Sequence, residues 1–176
     1  MIGERVYHRP TQWNVYQEET FHLDQRLRGL DTFGIELNSK IHIKGFTFQP
    51  GTRAWDDMEA ASCDMLYGDS YRRTEEGILD IGNNVSLVFQ ELDFGPEGCH
   101  RVTIRGRTAL ENNSIHICFK GENGEERRIV EFARQEDWGE QSFALELVYG
   151  MRDVTFLFLP GSKFDFGGFR FGAGEV

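Results

Sequence analysis

From residue 85 onward, apolar and polar positions alternate in short runs, one roughly every ten to fifteen residues. The runs are NNVSLVF, HRVTIRG, SIHICFKG, RRIVEFA, QSFALELV, RDVTFLFL and KFDFGGFRF. A period of two marks a strand with one face buried. Turn residues separate the runs. In GENG, residues 121–124, Asn123-Gly124 accepts positive φ at low cost and predicts a hairpin between SIHICFK and EERRIVEF. LPGSK, residues 159–163, predicts a second hairpin that joins the last two strands. Regularly spaced short strands with such turns predict an all-β protein, a two-sheet β-sandwich or a barrel.

The alternation also assigns faces. Val102 and Ile104 point inward, with Arg101, Thr103, Arg105 and Arg107 on the other side. Ile115, Ile117 and Phe119 are expected inside, as are Phe143, Leu145 and Leu147. VTFLFL is apolar on both faces: Val154, Phe156 and Phe158 share one, Leu157 and Leu159 the other, which predicts a strand covered on both sides. Phe156, Phe158, Phe164, Phe166, Phe169 and Phe171 are all assigned to packed positions, so the aromatic C-terminal end reads as core.

The chain before residue 51 reads differently. FGIEL–NSK–IHIKGFTF, residues 33–48, predicts a separate hairpin carrying Ile41, Ile43, Phe46 and Phe48, and TFHLD a third strand. QPGTRAWDDM then breaks the pattern, and residues 54–65 suit a short helical turn. Two domains are expected: a small β-unit over 1–50 and a sandwich over 51–176.

Charge narrows the function classes. A formal net charge of −10 argues against nucleic acid and anionic membrane surfaces, both of which select clustered Lys and Arg. No run approaches the length of a membrane-spanning helix. The opening MIGERVYHRP has no apolar segment of the secretory kind, and Cys63, Cys99 and Cys118 are widely spaced with no CxxC pair. Both features suggest a reducing, cytoplasmic (bacterial) location, with one disulfide plus a free thiol as the alternative.

Catalytic signatures are missing. The five histidines form no HxH or HExxH pair, and no GxSxG, P-loop or GxGxxG occurs. Cys99 and His100 are adjacent on a strand and face opposite ways, a poor nucleophile–base pair. Glu18-Glu19, Asp56-Asp57, Glu75-Glu76 and Glu125-Glu126 offer paired carboxylates of the kind glycoside hydrolysis uses, but they lie at turns and strand ends, where solvated charge explains them. An enzyme acting alone is not expected.

Four phrases, in order, carry a resemblance. MEAASCDMLYG resembles the opening strand of carbohydrate-binding modules of family six, usually a Glu-Ala-Glu phrase followed by Gly. EGILDIGNNVSLVF resembles the Gly-Tyr-Ile-Asp…Gly-Asp-Trp-Val-Ser phrase of their second strand. EDWGEQSFALEL resembles the segment with a loop Trp before a strand, and VTFLFLPGSKFDFGGFRF the closing hairpin with its Phe-Asn-x-Asn-Trp-Phe phrase. The resemblance covers Met58 to Phe171 and implies a galactose-binding-like jelly roll. With FHLDQRLRGLDTFGIELNSKIHIKGFTFQ, the whole chain also resembles the C-terminal region of bacterial β-galactosidases of glycoside hydrolase family two, whose Asn-Glu acid/base phrase is absent here. That implies a non-catalytic accessory module of a glycosidase, partnered with a catalytic domain and with a galactoside or another plant or host glycan.

The resemblance places a sugar site as well. Such modules hold a pyranose between two aromatics and hydrogen-bond it with an Asn near the chain end. Trp138 matches the loop aromatic, and Asp165 stands at the Asn position. The second aromatic falls on Ile78, the second Asn on Gly167 and the usual Trp on Gly168. Tyr67 or Tyr71 is expected to replace the missing platform, and Lys163 to supply a further donor. The family's structural calcium uses the second Glu of the opening phrase, here Ala61, and an acidic residue on the last strand, here Arg170, so no metal or other cofactor is expected. Two functional readings stay open: weak carbohydrate binding around Trp138 and Asp165, or a purely structural module that braces a catalytic domain or an oligomer.

Overall fold

The computed structural model describes residues 6–9, 15–21, 34–48 and 52–172. It divides into two compact units, Met1–Gly51 and Thr52–Val176. In the first, the described residues hold an isolated bridge at Val15 and no strand. The hairpin expected over 33–48 is therefore not formed by residues 34–48; Ile43, Phe46 and Phe48 are 41%, 56% and 53% exposed. A two-stranded ribbon has no second layer to bury its apolar face, so alternation alone does not build a ladder. Of the expected third strand, Thr20 and Phe21 lie in no strand, and His22–Asp24, like Phe33, fall outside the described residues.

The second unit is built from β1 (Met58–Glu59), β2 (Met65–Tyr67), β3 (Arg72–Arg73), β4 (Ile78–Ile81), β5 (Val85–Asp93), β6 (Cys99–Gly121), β7 (Gly124–Val148), β8 (Met151–Phe158) and β9 (Phe164–Gly172). A single 3-10 turn, Ala60–Ser62, supplies the expected helical piece. The described residues contain no α-helix.

Four of the expected short strands merge into two long ones. HRVTIRG and SIHICFKG are the two ends of β6, and RRIVEFA and QSFALELV those of β7. The first end of β6, Arg101–Arg107, pairs with β9; the second, His116–Lys120, pairs with β8. Between them the β6–β7 register shifts around Thr108. The two long strands therefore turn a corner and run through both layers of the sandwich, with bulges absorbing the bend. One leaf contains β3, β4, β9 and β1 beside the first end of β6; the other contains β2, β5 and β8 beside its second end.

The GENG hairpin forms, with Gly121 opposite Gly124 and positive φ at Gly124 (125°) rather than at Asn123. LPGSK is a tight turn, with Pro160 followed by Gly161 at φ 100° and Ser162 N–H donating to the Leu159 carbonyl at 3.1 Å. It does not close a hairpin. β8 and β9 flank β6 and belong to opposite leaves, so the turn is an arch over the sandwich edge.

The arch throws the phenylalanines of β8 onto those of β9. Phe156 lies 4.4 Å from Phe169 and 5.0 Å from Phe166 between ring centroids, and Phe158 lies 5.5 Å from Phe164. Phe156, Phe158, Phe164, Phe166, Phe169 and Phe171 are all buried, as are Val102, Ile104, Ile115, Ile117 and Phe119. Two face assignments fail. Leu147 is exposed because the β6–β7 register slips between Cys99 and Arg101, making Leu145 and Val148 the inward pair. The outer face of β8 is only partly covered: Leu157 is half-buried and Leu159 exposed. The three cysteines are free and buried.

Candidate functional site

The outer face of the first leaf gathers the chemistry. On β6, alternation sends Val102 and Ile104 into the core, so Arg105 and Arg107 stand outside. On β9, Phe164 and Phe166 point in and Asp165 points out between them. β7 runs alongside, with Gly139 opposite Gly106 and Glu140 opposite Arg105.

Trp138 is part of β7, not of a loop. The strand continues through it because the corner keeps both long strands paired past their bulges. Its ring is no bare platform. The Arg107 guanidinium lies 4.8 Å and the Arg105 guanidinium 5.5 Å from the ring centroid, within cation–π range. A side chain at Gly167 would meet Arg105 at 2.8 Å and Trp138 at 3.0 Å, so the missing Cβ lets both lie down over β9.

Asp165 is brought to the same cluster. Its Oδ2 accepts from Arg107 Nε at 2.7 Å and its Oδ1 from the Asp80 backbone N–H at 2.7 Å. Asp80 sits in the left-handed region (φ 55°), where the β4–β9 register shifts between Ile78 and Ile81. Aspartate tolerates this conformation, and the bulge re-aims its side chain outward. There its carboxylate accepts from Arg72 Nε at 3.1 Å. A relay thus runs Trp138, Arg107, Asp165, Asp80, Arg72. Beside it opens a depression of about 450 Å³ lined by Arg72, Thr74, Glu75, Glu76, Leu79 and Arg107.

The other expected residues are placed differently. Lys163 is exposed just before β9, its backbone held by Asn113 and Thr108. Tyr67 is exposed on β2, opposite Ser86, at the far edge of the second leaf, so the strand order does not set it beside Trp138. Tyr71 is half-buried and packs on the core, just before Arg72. Ile78 is fully buried and offers no platform. Sequence reasoning missed Arg72, Asp80, Arg105 and Arg107 as site residues. Alternation in HRVTIRGR does put the last two on one face, but only the β6–β7 register shows that this face meets Trp138.

A second crevice, about 220 Å³, lies over Gly168 on the same leaf and is lined by Asp57, Glu59, Arg105, Glu140 and Arg170, among others. Arg105 pairs with Glu59 at 2.5 Å, and Arg170 grips Glu140 through two bonds of 2.8 and 2.7 Å and approaches Asp57 at 3.6 Å. The Arg170 guanidinium holds Glu140 below the usual carboxylate range, and Glu140 holds Arg170 up. The cluster does not suit the calcium that the resemblance would place there, because two guanidinium groups already engage its three carboxylates and Ala61 and Arg170 stand where acidic ligands would be needed. Among the described residues no group of three His, Cys, Asp or Glu side chains suits a metal ion.

No family model and no curated protein matches the sequence. Solved structures do. The CsCBM6-3 module of Clostridium stercorarium, solved with cellobiose, is 22% identical, with a TM-score of 0.59 over 70% of this chain and 98% of that one. A family 6 carbohydrate-binding module from Clostridium cellulolyticum, in complex with xylose, is 23% identical, with a TM-score of 0.57 over 68% of this chain and 98% of the module. A glycoside hydrolase family 43 arabinoxylan arabinofuranohydrolase from Bacillus subtilis is 17% identical, with a TM-score of 0.54 over 74% of this chain and 29% of the enzyme. At these identities the likeness establishes the fold: Thr52–Gly172 is a β-sandwich jelly roll of the kind found in family 6 carbohydrate-binding modules.

Proposed function

We propose that this chain is a non-catalytic, carbohydrate-binding accessory module of a glycoside hydrolase, with a parent of the β-galactosidase type. The observation that carries the reading is the Trp138–Arg107–Asp165 cluster beside an open depression on one sheet face. Sugar rings present hydroxyls to charged side chains and apolar C–H faces to aromatics; the cluster offers the first directly and the second only where Arg105 and Arg107 leave the Trp138 ring uncovered. The arabinofuranohydrolase, of which a domain with this fold forms one part, is a precedent for such a module within a larger hydrolase. Asp165, with both oxygens already engaged, acts mainly by orienting Arg107. Lys163 is exposed and free to reach toward a bound sugar, and Tyr71, packed on the core next to Arg72, is assigned a supporting role. The buried free thiols are the support for a reducing compartment.

Binding is expected to be weak, with a dissociation constant on the order of 0.1–1 mM, about −5 to −4 kcal/mol. The test is titration of galactosides, xylo- and gluco-oligosaccharides, watched through the Trp138 indole N–H signal, with Trp138→Ala as control. Perturbation that saturates in that range and vanishes in Trp138→Ala supports the reading. The bracing module is the second reading, favoured by the two guanidinium groups already lying against Trp138. It prevails if no sugar perturbs Trp138 up to about 10 mM, ten times the expected range.

A further inference from the structure

We infer that the depression lined by Arg72 and Arg107 selects an acidic sugar, one whose pyranose carries a carboxylate or a sulfate ester; this rests on the carbohydrate-binding reading above. Each of its two arginines is held through its Nε by a carboxylate. Arg107 gives its Nε to Asp165 at 2.7 Å, and Arg72 gives its Nε to Asp80 at 3.1 Å. Neither guanidinium donates a hydrogen bond from its terminal nitrogens among the described residues. Both line the same depression. The carboxylates that fix them are themselves joined, because Asp165 accepts the Asp80 backbone N–H at 2.7 Å. Two guanidinium forks are therefore oriented through one edge, leaving the other edge for a ligand.

That arrangement suits an anionic oxygen pair better than a neutral hydroxyl. Guanidinium terminal N–H groups meet carboxylate and sulfate oxygens in parallel, with charge-assisted bonds about twice as strong as neutral ones. The exposed Arg72 alone would bind little, but a guanidinium already held by a carboxylate loses less freedom on binding. The left-handed Asp80 is the backbone feature that builds the pair, since its bulge presents an N–H to one arginine's partner and a carboxylate to the other arginine. Glu75 and Glu76 face the same depression from the Thr74–Gly77 turn and serve as acceptors for sugar hydroxyls. The lining carries two arginines and two glutamates, and Asp80 and Asp165 lie against the arginines, so the depression has no excess of positive charge, in a chain of net charge −10. Selection therefore comes from the fixed forks and not from a general positive field.

The experiment compares matched ligands on the full chain: galacturonate and galactose 6-sulfate against galactose, with acetate and inorganic sulfate as ring-free controls. Dissociation constants come from amide and indole chemical shifts. At least one acidic sugar should bind about tenfold more tightly than galactose, and the ring-free anions more weakly than either acidic sugar. Carboxylate and sulfate are told apart by which acidic sugar binds better. Arg72→Gln and Arg107→Lys should each bring the acidic sugar down to the galactose level. Arg72 is largely exposed, so Arg72→Gln keeps the test valid should Arg107→Lys disturb the fold. Equal affinity for galactose and the acidic sugars overturns the inference and leaves carbohydrate binding standing. An acidic preference that survives both substitutions overturns it too. Failure of every sugar to bind removes the underlying reading as well.

Discussion

Phe156→Ala tests the packing that holds the two leaves together. Phe156 is 0% exposed, and its ring meets Phe89 at 6.0 Å, Phe166 at 5.0 Å and Phe169 at 4.4 Å. Phe89 belongs to the same leaf, Phe166 and Phe169 to the opposite one, so the ring spans the interface. Loss of its burial costs about 2–3 kcal/mol by transfer. The void adds a further term, because three rings lose a contact, one edge-on and two tilted, and close-packed strands cannot collapse onto the gap. The total is about 3–5 kcal/mol, the range for emptying a large core site. Leu157→Ala is the internal control. It sits one residue on, points to the other face and is half-buried, so it should cost about 1 kcal/mol. Urea denaturation of both variants, followed by far-UV circular dichroism, gives the comparison, valid if the slopes agree. A Phe156→Ala cost below about 1 kcal/mol, or no larger than that of Leu157→Ala, would refute the two-leaf packing.

Two glycine substitutions should separate. A Cβ at Gly77 (φ 144°) would sit 2.2 Å from the Phe166 carbonyl oxygen, so Gly77→Ala should cost more than about 2 kcal/mol in the same denaturation assay. At Gly167 the neighbours are the side-chain ends of Arg105 and Trp138, so Gly167→Ala should cost under about 1 kcal/mol yet shift the tryptophan emission; an unshifted spectrum contradicts the layered arrangement. Arg170 depresses Glu140 in the folded chain, so their pairing stabilises above the unfolded carboxylate pKa, about 4.3, and is lost as pH falls through the lower folded value. The gap in thermal midpoint between the native chain and Glu140→Gln should thus be small near neutrality and close toward acid; widening there contradicts the pairing. Burial pushes the Cys99 thiol up to about 12 and raises Cys63 and Cys118 as well, so a disulfide exchange reagent at pH about 8 should label none until urea is added.

The alternation in β6 and β8 made the core readable residue by residue, because a half-buried strand has only two faces. Connectivity was less readable. Nothing local in LPGSK distinguishes an arch from a hairpin, since the same Pro-Gly turn serves both and the choice depends on β6 lying between β8 and β9. The fusion of four strands into β6 and β7 was hidden by the polar stretches ENNS and RQED at the corner, which interrupt the apolar alternation. That error carried into the site. Trp138 looked like a loop platform because it matches the loop Trp of the resembled segment, and its arginine neighbours come from a strand some thirty residues earlier, visible only through register. Asp165 was legible only through the resemblance, as the residue at the Asn position of the closing phrase, and its partner Asp80 was not legible at all, because a left-handed aspartate inside a strand leaves no mark on the hydrophobic pattern.

The corner itself should set how rigid the site is. Lys163, Phe164 and Asp165 are tied to it in succession. Asn113 Oδ1 accepts the Lys163 N–H at 3.0 Å, and Thr108 Oγ1 donates to the Lys163 carbonyl at 2.6 Å while accepting from Leu110 N–H at 3.2 Å. Both side chains are buried, Thr108 to 4% and Asn113 to 1% exposure, which is unusual for their types and marks them as satisfied groups holding the arch down. Gly106 completes the fit, since a Cβ there would meet the Phe164 ring at 2.3 Å. Asp165 inherits its position from these contacts, and Arg107 inherits its own from Asp165. Thr108→Val keeps the shape and removes the hydroxyl, leaving the Lys163 carbonyl and the Leu110 N–H without their partner. It should therefore cost about 1–3 kcal/mol. It should also broaden or shift the amide signals of residues 163–165 and weaken sugar binding without touching the ligand. A Thr108→Val chain as stable as the native one within about 0.5 kcal/mol, with those signals unmoved, would show that the arch is held by the phenylalanine core alone and that the corner does not position the site.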